Sequence, residues 1–140
     1  SFSREVIAGL RTDIIVASNN IYYAIYVKEL FDSYFFHCHV TNDIIGAQIG
    51  AVIKNILAIG CGIYRALRLG SNAISVLIID GFKEGVNLVS FLGGQAETFY
   101  GLSGMGDIFL TCNDTCSRNY QFGFLLGKGK TSQQSCMIIN

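Results

Sequence analysis

Lys54 is the residue whose surroundings in the sequence most clearly suggest chemistry. It lies in an apolar segment, residues 43–64, where it is the only charged residue after Asp43. Its neighbours at helical spacing include five small residues, namely Ala47, Gly50, Ala51, Ala58 and Cys61. Burial disfavours the charged form of a lysine, so a lysine at the floor of such a crevice can act as a general acid or base.

Three alternative roles for this segment compete with catalysis. The lysine could extend along the surface into water, or it could pair with a carboxylate and have no further role. The segment is also long enough to span a bilayer, and Gly46 and Gly50 have the GxxxG spacing of paired membrane helices. Because a central charge is costly in a membrane and no lysine-rich flank is present, we predict a core helix and no membrane.

The five cysteines and two histidines are candidate metal ligands. His37, Cys38 and His39 alternate on a predicted strand, and Cys112 and Cys116 could share a helical face. Neither spacing matches a CxxC pair, so we predict buried thiols and no metal site. The cysteine count is odd, the spacing is irregular and no secretory segment precedes them, which favours reduced thiols in the cytoplasm.

A strand, a helix and a strand are predicted at the amino-terminal end. Residues 13–17 and 35–40 are apolar runs typical of strands, and residues 21–31 have helical periodicity. A single βαβ unit cannot bury both faces of its sheet. We therefore expect residues 1–41 to be the remnant of a larger domain.

The rest of the chain is predicted to be mainly α-helical. Helices are expected at residues 43–64, from near Asn72 toward Gly93, at QAETF, at IFLTC and from Ser117, with a glycine-rich loop at GLSGMGD and no clear periodicity in TSQQSCMIIN. Asp43 is a plausible N-cap of the first of these helices. The bulky face of that helix is expected to enter the core, with Ile45, Ile49, Val52, Ile53, Ile56 and Ile63.

Composition excludes several classes of partner. The sequence has 140 residues, and its ten basic and ten acidic side chains cancel. A nucleic-acid-binding protein and a polybasic membrane-surface protein both need an excess of positive charge. We therefore expect a small-molecule partner and no nucleic acid.

Four motifs in order carry a resemblance to a known family: TNDIIGAQIGAVIKNILAIGCGI, GSNAISVLIIDGFKEG, ETFYGLSGMGDIFLTC and SRNYQFG. From Ser1 to about Gly129 the sequence resembles the bacterial NAD(P)-dependent glycerol-3-phosphate dehydrogenases. The resemblance implies a remnant of the NAD(P)-binding Rossmann domain at 1–41. It also implies an all-helical substrate-binding domain at 42–129, of the type shared with 6-phosphogluconate dehydrogenases. Residues 130–140 are expected to be a divergent tail.

The resemblance also implies a reaction and a set of site residues. The family interconverts glycerol 3-phosphate and dihydroxyacetone phosphate with NAD or NADP, in glycerophospholipid and carbohydrate metabolism. Lys54 would be the catalytic proton-transfer residue. The expected substrate-binding residues are Lys54, Asp107, Ser117, Arg118, Asn119 and Ser1; the cofactor-binding residues are Ser3 and Arg118; and Asn55 and Thr111 would line the same pocket.

The sequence also departs from the family pattern. Gly101, Gly104 and Gly106 do not follow a strand, so no dinucleotide-binding GxGxxG fingerprint is present. Asp80 stands where the family usually has arginine, and Gln48 where it usually has glutamate. We therefore expect a fragment of the enzyme that is inactive alone, from a parent that is a candidate homodimer. The alternatives are a non-catalytic helical interaction module and a small membrane protein.

Overall fold

The computed structural model describes residues 3–139 and confirms a mainly α-helical chain preceded by a βαβ piece. In chain order the elements are α1 (Ser3–Ile7), β1 (Thr12–Ala17), α2 (Ile21–Phe31), β2 (Phe36–Thr41), α3 (Ile44–Ala66), α4 (Ser71–Phe91), α5 (Ala96–Tyr100), a π-helical segment (Leu102–Gly106), α6 (Asp107–Asn113), α7 (Arg118–Gly127) and α8 (Ser132–Ile139). The short helix α1 was not predicted.

The two strands form a parallel pair in which residues 12–17 align with residues 36–41. Helix α2 connects them and begins at Asn20, whose side chain accepts a hydrogen bond from the backbone amide of Tyr22 at 3.0 Å. Large side chains of α2 are exposed, among them Tyr22, Tyr26 and Leu30. One face of this unit is therefore uncovered, as expected for a single βαβ unit.

The start of α3 is fixed by Asp43, as predicted. One carboxylate oxygen accepts a hydrogen bond from the amide of Gly46, and the other accepts one from the amide of Gln95, both at 2.9 Å. The side chain is buried. A single carboxylate therefore caps the helix that carries Lys54 and holds it to the loop before α5.

The charge of Asp43 is expected to make folding stability depend on pH. Burial opposes the charge, but hydrogen bonds from the Gly46 and Gln95 amides and from the Thr98 side chain together outweigh it and lower the pKa of the Asp43 carboxyl. A depressed pKa contributes stability that is complete above the unfolded value, about 3.9, and is lost as pH falls through the folded value. We expect Asp43→Asn to lower the free energy of unfolding by about 1–3 kcal/mol at neutral pH. The side-chain nitrogen of asparagine would then face a backbone N–H group, and two donors cannot form a hydrogen bond.

Urea unfolding measured at neutral pH and below about pH 4 tests this expectation. The two proteins should converge in stability at low pH, where Asp43 itself becomes protonated. Asp80→Asn, at an exposed position of α4, is the matched control. If Asp43→Asn were less stable than the unchanged protein by the same amount at every pH, the assigned role of the charge would be wrong.

Helices α3 and α7 cross at close range because each has a glycine at the crossing. A Cβ atom on Gly62 would overlap the carbonyl oxygen of Tyr120, and one on Gly123 would overlap the carbonyl oxygen of Ile59. The core formed around α3 consists of Leu57, Ala58, Cys61, Ile74, Val89, Phe99, Ile108, Cys112 and Tyr120. This packing fixes α3 and α7 relative to each other, and the site described below lies at their contact.

The predicted core face of α3 was only partly right. Ile49 and Ile53 pack against the core, but Ile45, Val52 and Ile56 are exposed by 37%, 51% and 59%. Helical spacing identifies which residues share a face. It does not decide which face another element covers, and the glycine and small residues proved to be the ones packed against neighbouring segments.

One prediction of local structure was wrong, and one helix was not predicted. The glycine-rich segment GLSGMGD is not a loop, since residues 102–106 form a π-helical segment that continues into α6. The tail after Thr131 is helical, and a reciprocal capping box starts it. There the Gln134 amide donates to the Thr131 hydroxyl at 3.2 Å, and the Thr131 amide donates to the Gln134 side chain at 3.0 Å.

Helix α3 is long and apolar enough to cross a bilayer, judged by length and composition. The core helix of a globular domain satisfies the same criterion. Here α3 packs against α4, α5, α6, α7 and the π-helical segment. Gly46 and Gly50, whose spacing suggested a membrane helix pair, instead contact Thr98 and Ser103 of this same chain.

Candidate functional site

Lys54 and Asp107 form an ion pair although 53 positions separate them in the sequence. The Lys54 ammonium nitrogen donates to Oδ2 of Asp107 at 2.6 Å, and the two side chains are 22% and 26% exposed. Partial burial strengthens such a pair relative to one at an open surface. Pairing of Lys54 with a carboxylate is therefore observed, and it places the ammonium in a defined position.

The π-helical segment places Asp107 against α3. Its wide turn is closed by a hydrogen bond from the Gly106 amide to the Gly101 carbonyl at 3.1 Å. The carbonyl of Ser103 lies so close to α3 that a Cβ on Gly50 would overlap it. The face of α3 that carries small residues therefore packs against the backbone of the π-helical segment, which leads to Asp107.

A cleft of about 840 Å³ contains this ion pair. Its walls are Ser3, Arg4, Glu5, Lys54, Asn55, Asp107, Leu110, Thr111, Asn113, Asp114, Cys116, Ser117, Arg118 and Asn119. Eight of these were predicted site residues: Ser3, Lys54, Asn55, Asp107, Thr111, Ser117, Arg118 and Asn119. The predicted Ser1 lies outside the described residues. Lys54, Asp107 and Arg118, which were expected to bind one substrate, all line this cleft.

The second end of the cleft is built around the start of α7. Asp114 accepts a hydrogen bond from the Cys116 amide at 2.8 Å, which lowers the pKa of the Asp114 carboxyl and closes a tight turn. Ser117 follows as the N-cap and accepts from the Tyr120 amide. Arg118 is then the first residue of a ten-residue helix. A helix N-terminus with an arginine fork beside it is suited to an oxyanion.

Asn55 and Asn119 connect the two ends of the cleft. The Asn119 side-chain amide donates to Oδ1 of Asn55 at 2.8 Å. Asn55 follows Lys54 on α3, and Asn119 lies in the first turn of α7. This hydrogen bond therefore connects α3, which carries Lys54, to α7, which carries Arg118, at the surface of the cleft.

The structure adds cleft residues that sequence patterns did not identify. Arg4 and Glu5 come from α1, and the Arg4 guanidinium lies 4.0 Å from the sulfur of Cys116. Helix α1 has five residues, too few for a periodic signal. Asp114 could have been found from the sequence. An aspartate often closes a turn by accepting a hydrogen bond from the backbone amide two residues later.

A smaller cavity of about 210 Å³ lies between β1 and α3 and also reaches Lys54 and Asp107. Asp13 lines it, and hydrogen bonds from Arg11 and then His39 hold the pKa of the Asp13 carboxyl far below its usual range. The ion pair thus lies at the junction of two cavities. Within residues 3–139, no three His, Cys, Asp or Glu side chains are grouped so that they could hold a metal.

Comparison with known proteins identifies the domain type. Residues 43–140 match the family model for the NAD-dependent glycerol-3-phosphate dehydrogenase C-terminus. The match covers α3 through α8. It also extends beyond Gly129, the residue at which the resemblance was expected to end.

Matches to individual proteins and to solved structures include the amino-terminal part of the chain as well. The chain is 48% identical over all 140 residues to the glycerol-3-phosphate dehydrogenase [NAD(P)+] of Francisella tularensis subsp. novicida, and it covers 42% of that protein. The crystal structure of glycerol-3-phosphate dehydrogenase from Coxiella burnetii superposes with a TM-score of 0.92 at 42% identity, over 96% of this chain and 42% of that one.

The yeast enzyme is a more distant match. Glycerol-3-phosphate dehydrogenase from Saccharomyces cerevisiae superposes with a TM-score of 0.80 at 26% identity, over 94% of this chain and 40% of that one. The chain therefore spans less than half the length of the relatives it matches. With the family model matched from Asp43 onward, the chain belongs to the NAD-dependent glycerol-3-phosphate dehydrogenase family and carries its C-terminal domain.

Proposed function

We propose that this chain is the substrate-binding part of an NAD(P)-dependent glycerol-3-phosphate dehydrogenase. The reaction interconverts sn-glycerol 3-phosphate and dihydroxyacetone phosphate. The observation that carries the proposal is the Lys54–Asp107 ion pair in a cleft that ends at Arg118 and the start of α7. A proton-transfer group at one end and an oxyanion-binding group at the other suit a small phosphorylated alcohol.

In the reduction direction, Lys54 donates a proton to the carbonyl oxygen of dihydroxyacetone phosphate. In the oxidation direction, Lys54 takes the proton from the C2 hydroxyl. Asp107 orients the lysine, because its Oδ2 holds one ammonium proton and so sets the direction of the other two. Bringing the donor to the reacting oxygen in a fixed geometry is a major part of such catalysis.

The phosphate is assigned to the start of α7. Arg118 offers a planar set of donors, and the first backbone amides of α7 point out of the helix end. Ser117 and Asn119 stand on either side of Arg118 and line the same cleft. Asn55 and Thr111 complete the lining between the phosphate end and Lys54. Ser1 is assigned to substrate by resemblance alone.

NAD or NADP is the cofactor of the parent enzyme and supplies or accepts the hydride. Ser3 and Arg118 both line the cleft. Their hydroxyl and guanidinium groups can donate hydrogen bonds to a polar group of the cofactor. Asp80, where the family usually has arginine, is not among the cleft residues and pairs with Lys83 on α4 at 3.4 Å.

We also propose a cytoplasmic protein whose partner is a small molecule, with no membrane and no nucleic acid. Packing of one side of α3 against five segments of the same chain supports this assignment. A homodimeric parent would cover apolar side chains that are exposed on α3 and α4, such as Ile56, Val76 and Ile79. Domain limits of 1–41, 42–129 and 130–140 remain our proposed division.

Binding of glycerol 3-phosphate to the purified chain tests the site assignment. We expect weak binding that Arg118→Ala weakens about tenfold or more, since a charge-assisted hydrogen bond contributes about 1.5–3 kcal/mol. Lys83→Ala removes the same charge from an exposed position of α4 and should leave binding unchanged. Calorimetric or NMR titration gives the affinities.

Glycerol without phosphate is the matched ligand control and should not bind measurably. If Arg118→Ala and Lys83→Ala weakened binding equally, the attraction would come from net charge alone. The assignment of the phosphate to the start of α7 would then be wrong.

A further inference from the structure

Arg4 lies in the cleft but has no role in the reaction described above. It belongs to α1 and lines the same cleft as Lys54 and Arg118. Its guanidinium lies 4.0 Å from the sulfur of Cys116, and Cys116 is two residues before Arg118 in the sequence. The Arg4 side chain therefore reaches from α1 to the turn that precedes α7, where the phosphate is assigned.

The guanidinium of Arg4 keeps its donors available in this position. Among residues 3–139, neither Arg4 nor Arg118 forms an ion pair. The Cys116 sulfur that Arg4 contacts is only a weak acceptor. A guanidinium carries five donors in a planar fork that matches the oxygens of a phosphate. Two such forks at one end of a cleft can bind the same phosphate.

Net charge alone does not make this end of the cleft an anion site. Glu5 and Asp114 also line the cleft, so two carboxylates offset the two arginines in number. Asp114 accepts a hydrogen bond from the Cys116 amide, which directs one of its oxygens toward the backbone. Selection of phosphate therefore depends on the direction of the donors, which are the guanidinium groups and the first amides of α7.

We propose that Arg4 is a further phosphate-binding residue, so that Arg4 of α1 and Arg118 of α7 bind the substrate phosphate together. This inference rests on the proposed function, because it takes the phosphate of glycerol 3-phosphate to lie at the start of α7. The bound phosphate then connects the amino-terminal βαβ piece to the helical part of the chain.

Helix α1 is the element that such a contact would stabilise most. None of its residues is buried. The Ala8 amide donates to the Arg4 carbonyl at 3.0 Å, and the Leu10 amide donates to the Glu5 carbonyl at 2.9 Å. A segment with few buried contacts opens often, so its amide hydrogens exchange quickly with solvent. A ligand that binds Arg4 directly should therefore slow exchange at Ala8 and Leu10.

Titration of the purified chain with glycerol 3-phosphate is the first test. We expect Arg4→Gln to weaken binding about tenfold, as for loss of a charge-assisted hydrogen bond. Arg68→Gln is the matched control, because it removes the same charge from an exposed arginine after α3 that is not a cleft residue. This control should bind as the unchanged chain does.

Hydrogen exchange of the same proteins is the second test. Saturating glycerol 3-phosphate should slow exchange at the Ala8 and Leu10 amides of the unchanged chain. The same amides should stay fast in Arg4→Gln when the ligand concentration is raised to reach equal occupancy. A general effect of charge on affinity would not produce this local difference.

The outcomes separate this inference from the proposed function. If Arg4→Gln bound as well as Arg68→Gln while Arg118→Ala still weakened binding, the inference about Arg4 would be wrong and the proposed function would stand. If the unchanged chain did not bind glycerol 3-phosphate, or if Arg118→Ala had no effect, the proposed site itself would fail. Weaker binding of Arg4→Gln with no ligand-dependent protection of α1 in the unchanged chain would exclude direct contact and overturn the inference.

Discussion

The purified 140-residue chain is expected to show no measurable NAD(P)H-dependent reduction of dihydroxyacetone phosphate. Hydride transfer requires the nicotinamide to be held against the substrate carbon, and such positioning supplies about 7–11 kcal/mol of the barrier. The sequence contains no glycine fingerprint between a strand and a helix to hold the pyrophosphate. Loss of this contribution corresponds to about five to eight orders of magnitude in rate.

An assay of NADH loss with the purified chain measures this directly, beside Lys54→Ala as the matched control. Both proteins should give the rate of buffer alone. Turnover that disappears in Lys54→Ala would contradict the prediction and would mean that the cofactor binds where we place no binding site. Absence of turnover together with retained glycerol 3-phosphate binding would separate the substrate-binding role from the complete reaction.

Phe99→Ala is expected to destabilise the fold by about 3–5 kcal/mol, a large part of the stability of a typical domain. Phe99 of α5 is fully buried, and its ring lies 5.1 Å from that of Phe82. The ring also lies against Gly85 of α4, and the Phe99 carbonyl lies against Gly104 of the π-helical segment. Truncation therefore opens a cavity between α5 and α4, beside the residue whose carbonyl contacts the π-helical segment.

Urea unfolding followed by circular dichroism measures the loss, with Phe91→Ala as the control. Phe91 is also a phenylalanine of a helix, but it is 84% exposed, so its truncation should cost well under about 1 kcal/mol. Similar losses for the two variants would show that α5 is not a core element. Binding of glycerol 3-phosphate should weaken only in Phe99→Ala, because only that change loosens α5, whose Phe99 carbonyl contacts the segment that leads to Asp107.

Several elements were predictable because their signals are local. The cap at Asp43 depends on one side chain and the next three amides, and it was correctly identified. The helix expected from Ser117 has this residue as its N-cap, which is a signal of the same kind. The cap at Thr131 has the same kind of signal in T-x-x-Q, but the short segment that follows it has no clear helical periodicity and was not predicted. The strands and long helices were predicted to within a few residues because their apolar patterns are also local.

The π-helical segment could not be predicted in this way. Glycines at 101, 104 and 106 favour a loop when only local preferences are considered. In the structure, Ser103 rests on Gly50, more than fifty positions earlier, and the wide turn follows from that contact. The exposed positions of Val52 and Ile56 have a similar cause, since a helix pattern does not state which neighbour will cover which face.

The sequence by itself determined which side chains are available for chemistry: an isolated lysine in an apolar helix, an aspartate after a glycine-rich stretch, and an arginine beside a helix cap. These are properties of residue type and short-range spacing. Only the tertiary structure decided that Lys54 reaches Asp107 at 2.6 Å and that Arg118 shares their cleft. Such contacts depend on how closely backbones approach across the core, and close approach is set by the packing of all the helices together.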